Sequence, residues 1–166
     1  MTANTSLTPA QTATVKAFIL ADATLGPKTS GTGTDYGFIS DSMSSIAAPA
    51  FIVWKSNVSI NAVGDNFVGT ELAGLTTANQ TRLQTIAQYS LGGIDPSLAD
   101  RRAFFDDIFS GAGGTATRAK LLALWKRSAT RVEKVLATGT GSDAAPATMT
   151  YEGGLSINTV ADMFRV

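Results

Sequence analysis

Apolar residues recur at helical spacing along most of the chain, in blocks separated by Gly-, Ser- and Thr-rich breaks. The first block opens at Thr8-Pro9. Thr8 suits the cap, Pro9 the first helical position, and Gln11 completes a Thr-x-x-Gln capping box. Ala10, Ala13, Ala17 and Leu20 share one face, with Val15, Phe18 and Ile19 beside it, and Leu25-Gly26-Pro27 is a stop. Residues 28–37 have almost no apolar content. They predict a long exposed loop near the N-terminus, either free or ordered by a neighbouring subunit. A short helix is expected over 40–47. The densest apolar run, Phe51-Ile52-Val53-Trp54, is too short for periodicity to choose between a buried strand and the start of a helix. A helical turn at 59–63 precedes a loose connection punctuated by Gly64, Gly69 and Gly74. Thr76 then opens a helix with Leu83, Ile86 and Ala87 on its buried side. Asp95-Pro96 predicts the next start, with Leu98, Arg102, Phe105 and Phe109 along one face.

The most regular pattern lies at about residues 116–138, read as one long helix. Leu122, Trp125, Ala129, Val132 and Leu136 follow one another at spacings of three and four, an apolar seam four turns long. At about 100° per residue, Lys120, Arg127, Arg131 and Lys134 fall nearly opposite that seam as a basic stripe. Beyond it, Thr138 to Asp143 is a flexible turn, 147–152 alternates weakly as a short strand would, and Gly153-Gly154 reads as a hinge. Ser156 caps a terminal helix whose Ile157, Val160, Ala161 and Phe164 form an apolar stripe. The stripe either folds back on the domain or docks on a neighbour. The expected architecture is mainly α: a helical bundle over 1–138 with the loop at 28–37, then an extended C-terminal arm over 139–166 made of a short strand and the terminal helix.

Charge sharpens this picture. Thirteen basic and thirteen acidic residues cancel, and charged residues make up only 16% of the 166. Residues 118–134 nevertheless hold six basic residues and one acid, Glu133, a local charge of +5 against −5 for the rest. The stripe is either a solvated helix face or a surface for a polyanion or an acidic partner.

Candidate chemistry is sparse. The chain has no Cys and no His, which removes disulfides, thiolate nucleophiles, imidazole acid–base pairs and the usual zinc sites. The adjacent carboxylates Asp106-Asp107 point about 100° apart on a helix and do not converge. Gly139-Thr140-Gly141-Ser142-Asp143-Ala144 matches G-x-G-x-x-A in letters, but a helix precedes it and Pro146 follows, so the strand–turn–helix that holds a phosphate is missing. No apolar run reaches the roughly 18 residues of a membrane span. The residues point to no catalytic group, no cofactor, no metal and no membrane.

Three blocks carry a resemblance: Pro49-Ala50-Phe51-Ile52-Val53-Trp54-Lys55, the run from Arg102 through Phe104-Phe105-Asp106-Asp107-Ile108-Phe109 to Gly111, and the run from Lys126 to Gly141 continuing at Pro146–Gly153. Together they span roughly the C-terminal two-thirds and resemble a family of small virion proteins of tailed bacteriophages, the head–tail connector or adaptor proteins. The resemblance implies a mostly helical subunit, made in the host bacterial cytoplasm and located at the head–tail interface of the virion. It implies a homo-oligomer, a twelve-fold ring that joins the portal protein to a downstream neck or tail protein and touches the channel DNA non-specifically. It brings no catalytic residues and does not account for the 28–37 loop. Stopper, tail-terminator and head-decoration proteins are alternatives within the same setting, and a stand-alone nucleic-acid-binding module is another.

Two expectations follow. Charge reversal at Arg127 and Arg131 should impair ring assembly or genome retention. Residues 146–166 should dock on a partner, so that removing 154–166 leaves the monomer's thermal stability nearly intact.

Overall fold

A computed structural model describes residues 5–90 and 92–165. In chain order the elements are α1 (Pro9–Ala21), α2 (Tyr36–Ser44), β1 (Ile52–Trp54), α3 (Ile60–Asp65), α4 (Gly69–Ala73), α5 (Thr77–Tyr89), α6 (Ala99–Ile108), α7 (Thr115–Leu124), β2 (Lys126–Ser128), α8 (Arg131–Leu136) and α9 (Ile157–Phe164). The fold is mainly helical, with one two-stranded sheet formed by β1 and β2.

The chain divides into two compact units. A central unit runs over Trp54–Arg127, and a terminal unit combines residues 5–53 with residues 128–165. The expected boundary after residue 138 does not coincide with this division: 139–166 belong to the same unit as α1 and α2.

Helix starts follow the sequence closely. Thr8 and Gln11 form the expected reciprocal capping box, Thr76 accepts from the Asn79 amide, and Ser156 accepts from the Thr159 amide. Each satisfies amides that the first turn leaves without a partner. The Asp95 carboxylate instead organises a turn, accepting from the Ser97 amide and hydroxyl, and α6 begins three residues after Pro96. The segment 28–37 is less bare than its composition suggests. Short 3₁₀ turns cover Gly26–Lys28 and Gly31–Gly33, Thr29 is buried, and Asp35 caps α2 four residues earlier than the helix start expected at 40. Residues 51–54 resolve to strand. Over 147–152 isolated bridges form in place of a strand, at Ala147 with Val53, at Thr148 with Thr138, and at Tyr151.

The long helix over 116–138 does not exist. α7 ends at Leu124, Lys126–Ser128 is strand, and α8 starts afresh at Arg131. Its cap is Thr130, whose hydroxyl accepts from the Glu133 amide while the Glu133 carboxylate accepts from the Thr130 amide. That second capping box competes with helix continuation and is supported by burial, since Glu133 is only 1% exposed. The 3–4 seam is therefore shared out. Trp125 enters the central core, Ala129 and Val132 enter the terminal unit, and Leu122 is exposed.

The central core is aromatic. Trp54, Phe105, Phe109 and Trp125 pack with Val58, Leu83, Ile108 and Leu121, and Phe105 meets Trp125 edge-on at 5.6 Å between centroids. Side chains tie its short helices together. The Glu71 carboxylate accepts from the Ala116 and Thr117 amides at 3.0 and 2.7 Å, capping α7 from α4. Arg118 donates to the carbonyls of Phe109 and Gly111 after α6. Gly114 sits where a Cβ would overlap the Phe109 carbonyl, so only glycine fits there.

The terminal core is aliphatic. Val15, Ile19, Leu25, Ile39, Met43, Val132, Val160 and Met163 are all buried in one cluster with Tyr151 and Leu155. α9 packs on α2 and α1. Ser40 Oγ donates to the Leu155 carbonyl and Ser44 Oγ accepts from the Leu155 amide, so the chain beyond the Gly153-Gly154 pair is fastened to α2. The expectation that 146–166 leave the domain free to dock elsewhere is corrected accordingly. Of the apolar stripe, Val160 and Ala161 are buried within the chain's own terminal core.

Candidate functional site

The four residues of the expected basic stripe do not share one helix, because the helix meant to align them is interrupted. Lys120 lies on α7 and is exposed. Arg127 lies in β2, half-buried. Lys120 and Arg127 belong to the central unit, Arg131 and Lys134 to the terminal unit. Arg131 is occupied within its own unit: its guanidinium donates to Asp22 Oδ2 at 2.8 Å and to Ser42 Oγ. Reversing its charge therefore tests the fold as well as any assembly. Asp22 is held below the usual carboxylate range, first by hydrogen bonds from the Thr24 and Leu25 amides, then by Arg131, against an opposing effect of burial.

Arg131 and Lys134 do share a surface. With Phe18 of α1, Ala47, Ala48 and Val135 they line a groove of about 340 Å³. Its walls are largely apolar, and its cations lie beside aromatic rings. The Arg131 guanidinium is 5.8 Å from the Phe18 centroid, and the Lys134 ammonium is 5.7 Å from that of Phe51. Phe18 remains 37% exposed, and Ile46, which leads into Ala47, 60%.

Of the expected docking stripe, Val160 and Ala161 are buried, Phe164 is half-buried and stacks on Tyr36 at 6.3 Å, and Ile157 alone stays open, at 55% exposure. Ile157 lies at the first turn of α9, where its Cδ1 is 4.0 Å from the place a Cβ would take at Gly37. Phe38, the next residue, is 43% exposed. Sequence reading placed Phe38 in no site, and the only signal was an aromatic residue one turn after a capping Asp.

Among the described residues no three acidic, His or Cys groups could hold a metal ion, and no helix is long and apolar enough to cross a membrane. Asp106 and Arg102 line a pocket of about 360 Å³ with Arg118 and the two tryptophans. Both arginines there are spent on backbone carbonyls, and Arg102 also covers the Trp54 ring at 4.1 Å. Burial lowers the Arg102 pKa, and the Asp106 carboxylate opposes this. Gly139–Ala144 lies in the loop after α8, as expected. Gly141, at φ +66°, is pressed against the Phe51 ring, and its carbonyl accepts from the Ile52 amide. These glycines thus serve packing rather than a phosphate cradle.

No protein-family model matches the chain, and no match was found among the curated proteins or among the solved structures.

Proposed function

We propose that the protein is a non-catalytic structural subunit of a tailed-phage virion, a head–tail connector that assembles beside copies of itself, between the portal and a downstream neck or tail protein. The three sequence blocks that resemble that family supply the setting. The observation that carries the assembly reading is apolar surface left open on the terminal unit, the unit that also bears the cationic groove. Leu20 is 53% exposed, Ile46 60% and Ile157 55%. A lone exposed apolar residue is ordinary, but several large ones on one small unit fit a surface that is covered in an assembly. The scarcity of converging ionisable groups fits a role in which contact, not chemistry, is the task.

The decisive experiment images the purified protein with its portal by negative stain. A closed collar on the portal is the expected result. A protein that remains monomeric at high concentration and leaves the portal bare refutes the reading. Salt-dependent binding of duplex DNA by that monomer would replace it with a nucleic-acid-binding role.

A further inference from the structure

The pocket of about 360 Å³ in the central unit is lined from α6 by Arg102 and Asp106 and from α7 by Arg118, Ala119 and Leu122. Every wall residue belongs to that unit, so one copy of the chain forms the whole pocket. The carbonyl bonds of Arg102 engage one nitrogen only, Nη1, which donates to Pro96 and Ser97. Its Nε and Nη2 make no hydrogen bond among the described residues. Those two nitrogens form the side-on edge of a guanidinium, the edge that takes a carboxylate through two parallel bonds. The guanidinium is already held, by Nη1 on the turn before α6 and by the Trp54 ring 4.1 Å away. Asp106, one turn further along α6, acts on Arg102 through its charge but makes no hydrogen bond or ion pair among the described residues. Burial lowers the Arg102 pKa, so its cation is short of solvation and gains from an anion.

We propose that this pocket binds a small monocarboxylate with an apolar body, its carboxylate paired side-on with Nε and Nη2 of Arg102 and its body against Leu122 and Ala119. Charge selects the head group. Arg102 and Arg118 against Asp106 leave the wall one net positive charge, which a carboxylate balances and a phosphate monoester, at about −1.5 to −2, exceeds. The rim selects the body, since Leu122 is a large apolar side chain left 43% exposed at the pocket wall. Binding here needs no second subunit, so it holds whether or not the chain assembles into a collar.

The chain's two tryptophans both line the pocket, so their indole N–H signals in a proton–nitrogen NMR spectrum report on it directly. Titrating the full chain with phenylacetate should shift them saturably, with a Kd of about 1 mM. Phenylacetamide, the same body without the charge, should bind about tenfold more weakly. Ala119 is exposed on α7, so Ala119→Glu keeps the fold while placing a rival carboxylate at the rim, and it should weaken binding about tenfold. Asp106→Asn removes a like charge and should tighten binding about threefold. A peptide ending in Phe that binds more tightly than phenylacetate, and loses this on amidation of its terminus, keeps the carboxylate chemistry and assigns its source to a chain end. Signals that never saturate, acid and amide that bind alike, phenyl phosphate that binds more tightly than phenylacetate, or binding indifferent to Ala119→Glu each overturn the proposal.

Discussion

The central and terminal units are built from opposite materials. The central unit is one continuous stretch, with an aromatic core and short helices whose ends are tied by Glu71, Arg102 and Arg118. The terminal unit joins the two ends of the chain around aliphatic and methionine side chains, with long-range bonds from Gln11 of α1 to Thr150 and from Ser40 of α2 to Leu155. Contiguous segments form their contacts early, because little loop entropy must be lost first. The terminal unit cannot close until its last helix arrives. Both tryptophans, Trp54 and Trp125, lie in the central unit, so selectively excited tryptophan emission reports that unit.

The largest expected effect comes from removing 154–166. This strips Leu155, Val160, Ala161 and Met163 from the terminal core. At about 1.5–3 kcal/mol for each large buried side chain, the loss is on the order of 5 kcal/mol. Hydrogen exchange should show protection lost in α1 and α2, while tryptophan emission keeps its native position. Retained protection there would show that the terminal helix is dispensable after all. A parallel shift in emission would end the contrast between the units.

Phe105→Ala attacks the other core. Phe105 is 1% exposed and contacts both Trp125 and Phe104, so its loss should cost about 3–5 kcal/mol, read as a fall in the urea midpoint of tryptophan fluorescence. Met43→Ala should cost the terminal unit about 2–4 kcal/mol and leave that signal nearly in place.

Glu133→Ala removes the acceptor for the Thr130 and Gly153 amides and should cost about 1–3 kcal/mol. Glu133→Leu should be no milder, since the amides stay unpaired. Burial, helped by Glu133, also raises the Tyr151 phenol above its ordinary pKa. Replacing Glu133 should therefore lower the Tyr151 titration midpoint in an alkaline absorbance scan.

Acid should probe one carboxylate in each unit. Glu71 is held low by its bonds to Thr117 and Ala116, chiefly the Thr117 hydroxyl, and Asp22 by the Thr24 and Leu25 amides. A lowered folded pKa adds stability that is complete above the ordinary carboxylate range and is lost as pH falls through the folded value. Glu71→Gln should flatten the acid limb seen by fluorescence, and Asp22→Asn the limb seen by hydrogen exchange in α1. Unchanged limbs would remove these carboxylates from the account. The smallest effect is Thr8→Ala, about 1 kcal/mol from the α1 cap, measured as a shift in thermal midpoint.

Helix starts were legible because a cap is a local event: Thr8, Thr76 and Ser156 each bond amides within three residues. The break in the long amphipathic pattern was also written locally, as Thr130-Arg131-Val132-Glu133, yet the 3–4 seam and the basic stripe argued louder for continuity. Periodicity reports which residues want burial and says nothing of whether one helix or two deliver them. The candidate site shows the same limit. Lys134 stays partly exposed and Ile157 exposed, whereas Arg131 pairs with Asp22, more than a hundred positions away in the chain.

The sequence by itself determined the helical class, the caps, the sparse chemistry and the apolar character of each stripe, since these depend on near neighbours and composition. Only the tertiary structure decided which apolar stripes are used up internally, that the two chain ends share one core, and that Arg131 and Lys134 line one groove with Phe18. Burial is a property of distant partners, and no local pattern encodes who those partners are.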